Sequence, residues 1–449
     1  MSFASRIYSS SPVFLQNLLC SIEGWRVRRA QIGGGFKDFL SFSEAFDLMP
    51  ESERLSYQLD RLSTLCHHAV NHVPYYKSFN AYSQSIKDLE DFSNFPVLEK
   101  EVVRARASEF ISDDLNKRLT KQFKTSGTTG AGLAMYHDVE AFRAQVALWW
   151  RFRKRFGVDL NSRWANFSGA EVVSRSESRP PFWRYNYAAN QAYFSVYHIS
   201  ESTIPAYLKE LANGRYEWIS GYPSALIQIA KYIKEKNISF SHSLKVITTG
   251  SETLNEYDRL IIASAFEVPV VQMYGLVEMS ASMSMCEHGN YHSDDVGCYL
   301  ELLDRGDGYH DIIGTGLLDF AMPFIRYRTG DLAEKYEGKC GCGRGGIVVK
   351  SIVGRVEDCI RLSDGRRIGR LAKVFTDLNS LRECQIVQTA IDKITVNFVP
   401  IAGVQFVEKE KFHQRLISMV GGGVEIKYEK CDSIPRGPNG KFRAVISMV

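Results

Sequence analysis

The sequence lacks a charge bias, a membrane-length apolar run and a cysteine framework. Fifty-five Lys and Arg stand against 51 Asp and Glu in 449 residues, a net charge of +4. So slight an excess gives no electrostatic footprint for nucleic acid. Most of the nine cysteines are solitary (Cys20, Cys66, Cys298, Cys359, Cys384, Cys431), which excludes a disulfide-dense secreted scaffold. There is no repeat and no low-complexity tract. The glycine-rich loop has no Gly-Lys-Ser/Thr, so it is not a Walker A loop. The apolar stretch SPVFLQNLLC (11–20) is interrupted by Gln16 and Asn17, far short of the roughly 20 apolar residues that cross a bilayer. No small-residue cleavage site follows it. It reads as a helix packed on the body. Beside Arg26, Arg28 and Arg29, the alternative is contact with an anionic membrane. The chain is expected to be cytoplasmic.

What is present is ordinary for a globular protein, with 45% hydrophobic, 24% charged and 12% aromatic residues. The length implies two or three packed units. From 41 to 115 the pattern is helical, with apolar residues three and four apart in FSEAFDLMPESERLSYQLDRLSTLCHHAV. HDVEAFRAQVALWWRFRKRFG reads as a further helix, with Asp138 and Glu140 near its start. From 215 onward, strand-like YEWISGY, LKVITTG and VPVVQMYG alternate with helical PSALIQIAKYIKEKN and NEYDRLIIASAF. That alternation predicts parallel strands with crossover helices, which bind ligands at strand carboxyl ends. TTGSE (248–252) and YGLVE (274–278) sit at such ends. From about 297 to 350, short strands with glycine turns predict a small barrel or antiparallel layer. At the far end, KITVNFVP, VEKEKFHQRLISMV, VEIKYEKC and KFRAVISMV predict an α+β module.

TSGTTGAG (125–132) has hydroxyl donors in Ser126, Thr128 and Thr129, and backbone donors at Gly127 and Gly130. Such a loop suits an anion but also suits a plain turn. Its company adds information. TSGTTG, YGLVE, RYRTGDLA (326–333), GRVED (354–358) and PRGPNGKFR (435–443) occur in that order. Together they resemble the adenylate-forming (ANL) superfamily of acyl-CoA synthetases. GYPSAL (221–226), SVYHIS (195–200) and PPFWRYN (180–186) are similar to the phenylacetate–CoA ligase family, in the branch that travels with polysaccharide biosynthesis. The resemblance spans about 95 to 449.

The resemblance implies an α/β fold. Its adenylation domain would span 1–353, with a helical part over 1–115 and a β-rich layer over about 297–350. A mobile α+β lid would span 358–449, with a hinge near 354–358. It also implies chemistry: a carboxylate attacks the α-phosphate of ATP, giving an acyl-adenylate and pyrophosphate. A thiol, that of CoA, then takes the acyl group. Transfer to an amine is the enzymatic alternative, and a non-catalytic relative of the fold is another. The joint presence of Asp331, Glu278 and Lys441 speaks against the last.

On this resemblance Thr125, Ser126, Gly127, Thr128, Thr129 and Gly130 hold the outer phosphates. Tyr274 and Gly275 meet adenine, and Glu278 meets Mg2+, which accepts one carboxylate plus phosphates. Gly250, Ser251 and Glu252 line adenine by their backbone. Asp331 accepts the ribose hydroxyls, and Arg355 is the matching cation. Lys441 bridges carboxylate and α-phosphate, and its neighbours Gly437 and Gly440 suit a mobile loop. His198 adjoins the acyl pocket, although a core histidine is equally consistent with its setting. Trp183, Tyr185, Tyr197 and Tyr222 suit either a pocket or the core. Two departures stand out. Glu357 takes the hinge position where relatives have Asp or Lys, and Ala131–Gly132 leaves the phosphate loop without a lysine.

CEHGNYH and CGCGR add Cys286, His292, Cys340 and Cys342. The family has a cysteine and histidine after its Tyr-Gly motif and a Cys-x-Cys later. The resemblance therefore implies a structural zinc site, with His288 as the rival to His292. Three thiolates and an imidazole would close such a site to water. Free thiols beside an unrelated histidine are the alternative. Small-molecule acid and acceptor are the implied partners.

Overall fold

The computed structural model describes residues 8–79, 86–116, 120–124, 133–239, 241–355, 360–363, 367–368, 371–437 and 439–449. They divide into two compact units. One comprises Met1–Ile22, Asn161–Val270 and Val353–Val449, and the other Glu23–Leu160 and Val271–Ile352.

The first unit holds a sheet whose neighbours run Val246–Thr249, Trp218–Gly221, Trp164–Phe167, Gln191–Phe194 and Trp183–Asn186. The first four are parallel, and the last is an antiparallel edge. Helices Ile204–Asn213, Pro223–Glu235 and Glu256–Phe266 supply the apolar cover, with Leu208, Leu226, Ile229 and Phe266 buried beside Phe167, Ile219 and Ile247. A strand covered on both faces reads as an unbroken apolar run, which is why VITT was visible in the sequence. Pro223 opens its helix at a position that needs no N–H. Asn255 caps the next one by accepting from the Asp258 N–H at 2.8 Å.

The C-terminal part of this unit has its own sheet, ordered Glu425–Lys430, Lys393–Pro400, Leu381–Ala390, Val445–Ser447. Helix Lys409–Val420 packs Phe412 and Leu416 against Ile386 and Val396. This is the α+β module the sequence predicts. Gly421, with φ of +88°, ends the helix in a conformation that suits glycine.

The second unit is built on an antiparallel sheet ordered Cys298–Asp304, His310–Gly316, Tyr327–Lys335, Val348–Arg355, Tyr291–Ser293, Ser282–Met285 and Val270–Gly275. The 297–350 region is therefore an antiparallel layer. Helices Phe36–Phe46 and Val139–Lys154 pack Phe36 and Leu40 on Val146 and Ala147. Between 41 and 115 the long helical piece is Glu51–His72, followed by the short Leu89–Ser93 and Lys100–Ala105. Arg151 is buried, and a buried charge requires partners. It has them in Asp294 at 2.5 Å and Asp47 at 3.1 Å. Asp138 is the N-cap residue of its helix and Glu140 lies in the first turn, but the Asp138 carboxylate makes no capping bond and instead accepts from the Phe320 N–H at 3.4 Å.

The N-terminal segment forms helix Val13–Gln31. Its polar interruptions are what pack. Gln16 is buried and donates to the Ser11 carbonyl at 2.8 Å, and Asn17 accepts from the Tyr185 N–H at 2.9 Å. Phe14, Leu18, Ile22 and Trp25 are exposed. Among the described residues no helix is long and apolar enough to cross a membrane.

Candidate active site

In the second unit, strand Val270–Gly275 ends at Tyr274 and Gly275, and Asp331 lies on strand Tyr327–Lys335. Residues 329–331 stand opposite Ile312 alone, a bulge in the ladder with its neighbouring strand. Gly330 takes φ of +78° there, a conformation glycine adopts without steric cost. The Thr329 hydroxyl fastens the bulge. It donates to the Ile312 carbonyl at 3.0 Å and accepts from the Asp331 N–H at 3.0 Å. Asp331 is buried, and the Tyr274 hydroxyl donates to its carboxylate at 2.8 Å. Burial, then the adjacent carboxylate, hold the Tyr274 phenol well above its ordinary pKa, so it remains a donor. Glu278 accepts from the Tyr327 hydroxyl at 3.3 Å. Two motifs 57 residues apart thus meet at one hydrogen bond, and Tyr327 and Thr329 are supporting residues the sequence reading missed.

Gly250 to Glu252, Lys441 and His198 lie in the first unit. Ser251 has φ of +67° just beyond the strand end at Thr249. The Glu252 carboxylate accepts from the Ser224 N–H at 3.0 Å, the Ser224 hydroxyl at 3.1 Å and the Phe442 N–H at 2.7 Å. The expectation for 250–252 concerned only their backbone. This use of the Glu252 side chain is additional to it.

His198 is fixed through both ring nitrogens. The Ser195 hydroxyl donates to Nδ1 at 2.7 Å, and Nε2–H donates to the Ser174 carbonyl at 3.0 Å. Its ring stacks on Phe182 at 5.0 Å. Burial lowers its pKa, which favours the neutral ring. Trp183, Tyr185, Tyr197 and Tyr222 pack against the core. Tyr185 and Tyr216 both donate to Glu210, at 2.8 and 2.7 Å.

Residues 125–132 and Glu357 lie outside the described residues, as does the side chain of Arg355. The flanks of residues 125–132 are described. Thr120–Lys124 and Ala134–Asp138 pair antiparallel, with Lys124 opposite Ala134.

Cys286, His292, Cys340 and Cys342 form a cluster whose donor atoms all lie within 4.8 Å of one another. The Cys286 and Cys340 sulfurs are 3.7 Å apart, and Cys342 Sγ is 3.2 Å from His292 Nε2. Zinc–sulfur bonds of about 2.3 Å at tetrahedral angles put two sulfurs about 3.8 Å apart, so the donor set fits zinc. His292 Nδ1–H donates to the Gly345 carbonyl at 3.1 Å. That fixes the tautomer with Nε2 toward the thiols, as a ligating histidine needs. His288 is the neighbour of Gly341, with its ring 3.6 Å from where a Cβ there would stand, and is not in the cluster. Burial raises the Cys286 thiol to about 12. Cys340 falls to about 6, because the Cys342 N–H, Asn290 and His292 outweigh its own burial.

Comparison with known proteins adds the following. Residues 361–448 match the CapK C-terminal domain family. The whole chain is similar to protein CapK of Staphylococcus aureus, with 24% identity over 99% of both chains. It is similar to phenylacetate–coenzyme A ligase of Thermus thermophilus, with 22% identity over 72% of this chain and 74% of that one. Among solved structures it is similar to 2-hydroxyisobutyryl-CoA ligase in the postadenylation state in complex with R3-HIB-AMP. That likeness has a TM-score of 0.67 and 19% identity, covering 90% of this chain and 91% of the other. In motif order, relatives and fold together, the chain is similar to the adenylate-forming (ANL) ligases and is phenylacetate–CoA ligase-like.

Proposed function

We propose that the protein joins a carboxylic acid to the AMP moiety of ATP and passes the acyl group to a thiol, that of CoA. In the first step a carboxylate oxygen attacks the α-phosphorus, and the α–β phosphoanhydride bond breaks. Both reactants are anions, so fixed donors must offset the charge. Lys441 is that donor between carboxylate and α-phosphate, with residues 125–130 and Arg355 serving the remaining phosphates. Asp331 accepts the ribose hydroxyls, and the Tyr274 ring meets adenine with its hydroxyl tied to Asp331. Glu278 is an acceptor-only carboxylate bonded to the Tyr327 hydroxyl, which suits Mg2+. When bound, that ion neutralises phosphate charge. His198, with both nitrogens engaged, is a wall of the acyl side and moves no proton.

The observation that carries this reading is the Tyr274–Asp331 hydrogen bond, which unites the YGLVE and RYRTGDLA motifs from two strands that are not adjacent in the sheet. It is tested by pyrophosphate release across a panel of carboxylic acids, with hydroxylamine trapping of the adenylate. Cys286, His292, Cys340 and Cys342 would hold a structural zinc ion, closed to water by four protein ligands. A second reading is transfer to an amine; the similarity to CapK fits a polysaccharide-related role and is neutral between the two acceptors. Pre-formed adenylate offered separately to CoA and to amines distinguishes the two acceptors by product.

A further inference from the structure

The loop that carries Lys441 is braced from within. The Gly440 N–H donates to the Gly437 carbonyl at 2.9 Å, and the Gly437 N–H to the Lys441 carbonyl at 3.0 Å. The Arg436 guanidinium lies over the Phe442 ring at 4.6 Å and pairs with Glu383. A loop so tied presents Lys441 as part of a rigid turn, provided that something holds the turn in place.

The holding contacts come from the 161–270 segment of the same unit. Gly169 lies so close to the turn that a Cβ there would stand 1.8 Å from the Asn439 carbonyl oxygen. Gly440 has φ of +71°, and a Cβ there would meet Gly169 Cα at 2.9 Å. Two backbones approach where only glycines fit. The Tyr222 hydroxyl donates to the Asn439 carbonyl at 3.2 Å. The strongest tie is Glu252, because a carboxylate acceptor makes a charge-assisted bond. It takes the Phe442 N–H at 2.7 Å with one oxygen, while Ser224, in the first turn of helix Pro223–Glu235, donates to both of its oxygens. Ser224 thereby aims the carboxylate at the amide that follows Lys441.

We propose that Glu252 is a positioning residue for Lys441, a latch that docks the lysine-bearing turn on the body, with Gly169 as the keyhole it seats in. This rests on the adenylate-forming reading for its consequence, though the docking itself is independent of it. If Lys441 serves only adenylate formation, loss of the latch impairs that half-reaction and spares the use of an adenylate already made. A residue that merely supported the fold would impair both alike.

The test begins without ligand, by amide hydrogen exchange at Phe442 in the full chain. In Glu252→Ala the Phe442 amide should exchange about 10- to 100-fold faster, the range for losing a hydrogen bond to a charged group. Glu252→Gln, which keeps an acceptor oxygen, should fall between. Gly169→Ala should give the same loss of protection by crowding Asn439, and an unchanged melting temperature would confirm an intact core. With the acid found by the hydroxamate screen, Glu252→Ala should slow pyrophosphate release by about the same factor. In Gly169→Ala, which loosens the turn without touching the adenine-lining residues, transfer from the synthetic adenylate should stay within about twofold while pyrophosphate release slows. Unchanged Phe442 protection in either alanine variant overturns the latch, and so does an equal loss in both half-reactions in Gly169→Ala. If no acid supports adenylation in the wild type, the functional reading fails while the exchange result still decides the docking.

Discussion

Cys340→Ser is the perturbation whose size follows most directly from the structure. The proposed zinc ion ties Cys286 and His292 to Cys340 and Cys342, and the Cys286–Cys340 link closes a loop of 54 residues. The chain-entropy relation for a cross-link of that length gives about 4 kcal/mol of stabilisation. For a unit of roughly 150–250 residues, each kcal/mol moves the melting temperature by about 2–4 °C. The variant should therefore melt about 8–16 °C below the wild type. Serine is nearly isosteric with cysteine and polar, so packing loss adds little at this site, where the Asn290 amide already donates to the Cys340 sulfur at 3.3 Å. The assay is thermal unfolding with and without chelator, alongside metal analysis of the purified chain. Chelated wild type and the variant should then converge on one melting temperature, with one zinc per chain in the untreated wild type. Less than one-tenth zinc per chain, in protein never exposed to chelator, would refute the site. An unchanged melting temperature in the variant would refute the entropic reasoning.

Asp331→Asn removes a charged acceptor. It should raise the KM for ATP about 10- to 100-fold, the range for a hydrogen bond to a charged group, measured by pyrophosphate release at varied ATP. His198→Ala should keep adenylation within about tenfold, since both ring nitrogens are already bonded. A loss of 1,000-fold or more would instead reveal a base of the size general-base catalysis supplies. The pH dependence carries the opposite sign from that of a paired histidine. Burial lowers the folded pKa of His198, so the unfolded chain binds the proton more readily and stability falls as pH drops below about 6.5. Thermal unfolding from pH 8 to 5 should show that fall in the wild type and less of it in His198→Ala.

Parts of the molecule were legible in the sequence for identifiable physical reasons. VITT and VVQMYG are strands within or bordering an apolar core, and their runs end at glycines where the chain must turn. The helices between them carry apolar faces at regular spacing. Trp164–Phe167, Trp183–Asn186 and Gln191–Phe194 have four residues each, too few for a period to emerge. The hairpin strands TKQFK and AMYHD mix charge and apolar residues, so their pairing around the glycine loop was not visible. Asp331 and Tyr274 were legible as motif members, but the hydrogen bond between them depends on the strand bulge at Gly330. The Cys286, His292, Cys340 and Cys342 cluster was legible by residue type, with His288 as the rival to His292. His292 is the histidine in the cluster, and the Gly345 carbonyl that orients its ring was not visible in the sequence. Glu252 was read as a backbone position because its partner Phe442 lies 190 residues away, beyond any local pattern.

The central claim is that Lys441 bridges an attacking carboxylate and the α-phosphate of ATP. Hydroxylamine trapping of acyl-adenylate, run on wild type and Lys441→Ala with the same panel of acids, tests it most directly. ATP-dependent hydroxamate is expected with at least one acid, with a drop of about 100- to 1,000-fold in the variant, the range for removing one group that stabilises transition-state charge. Hydroxamate formation by Lys441→Ala at the wild-type rate would contradict it.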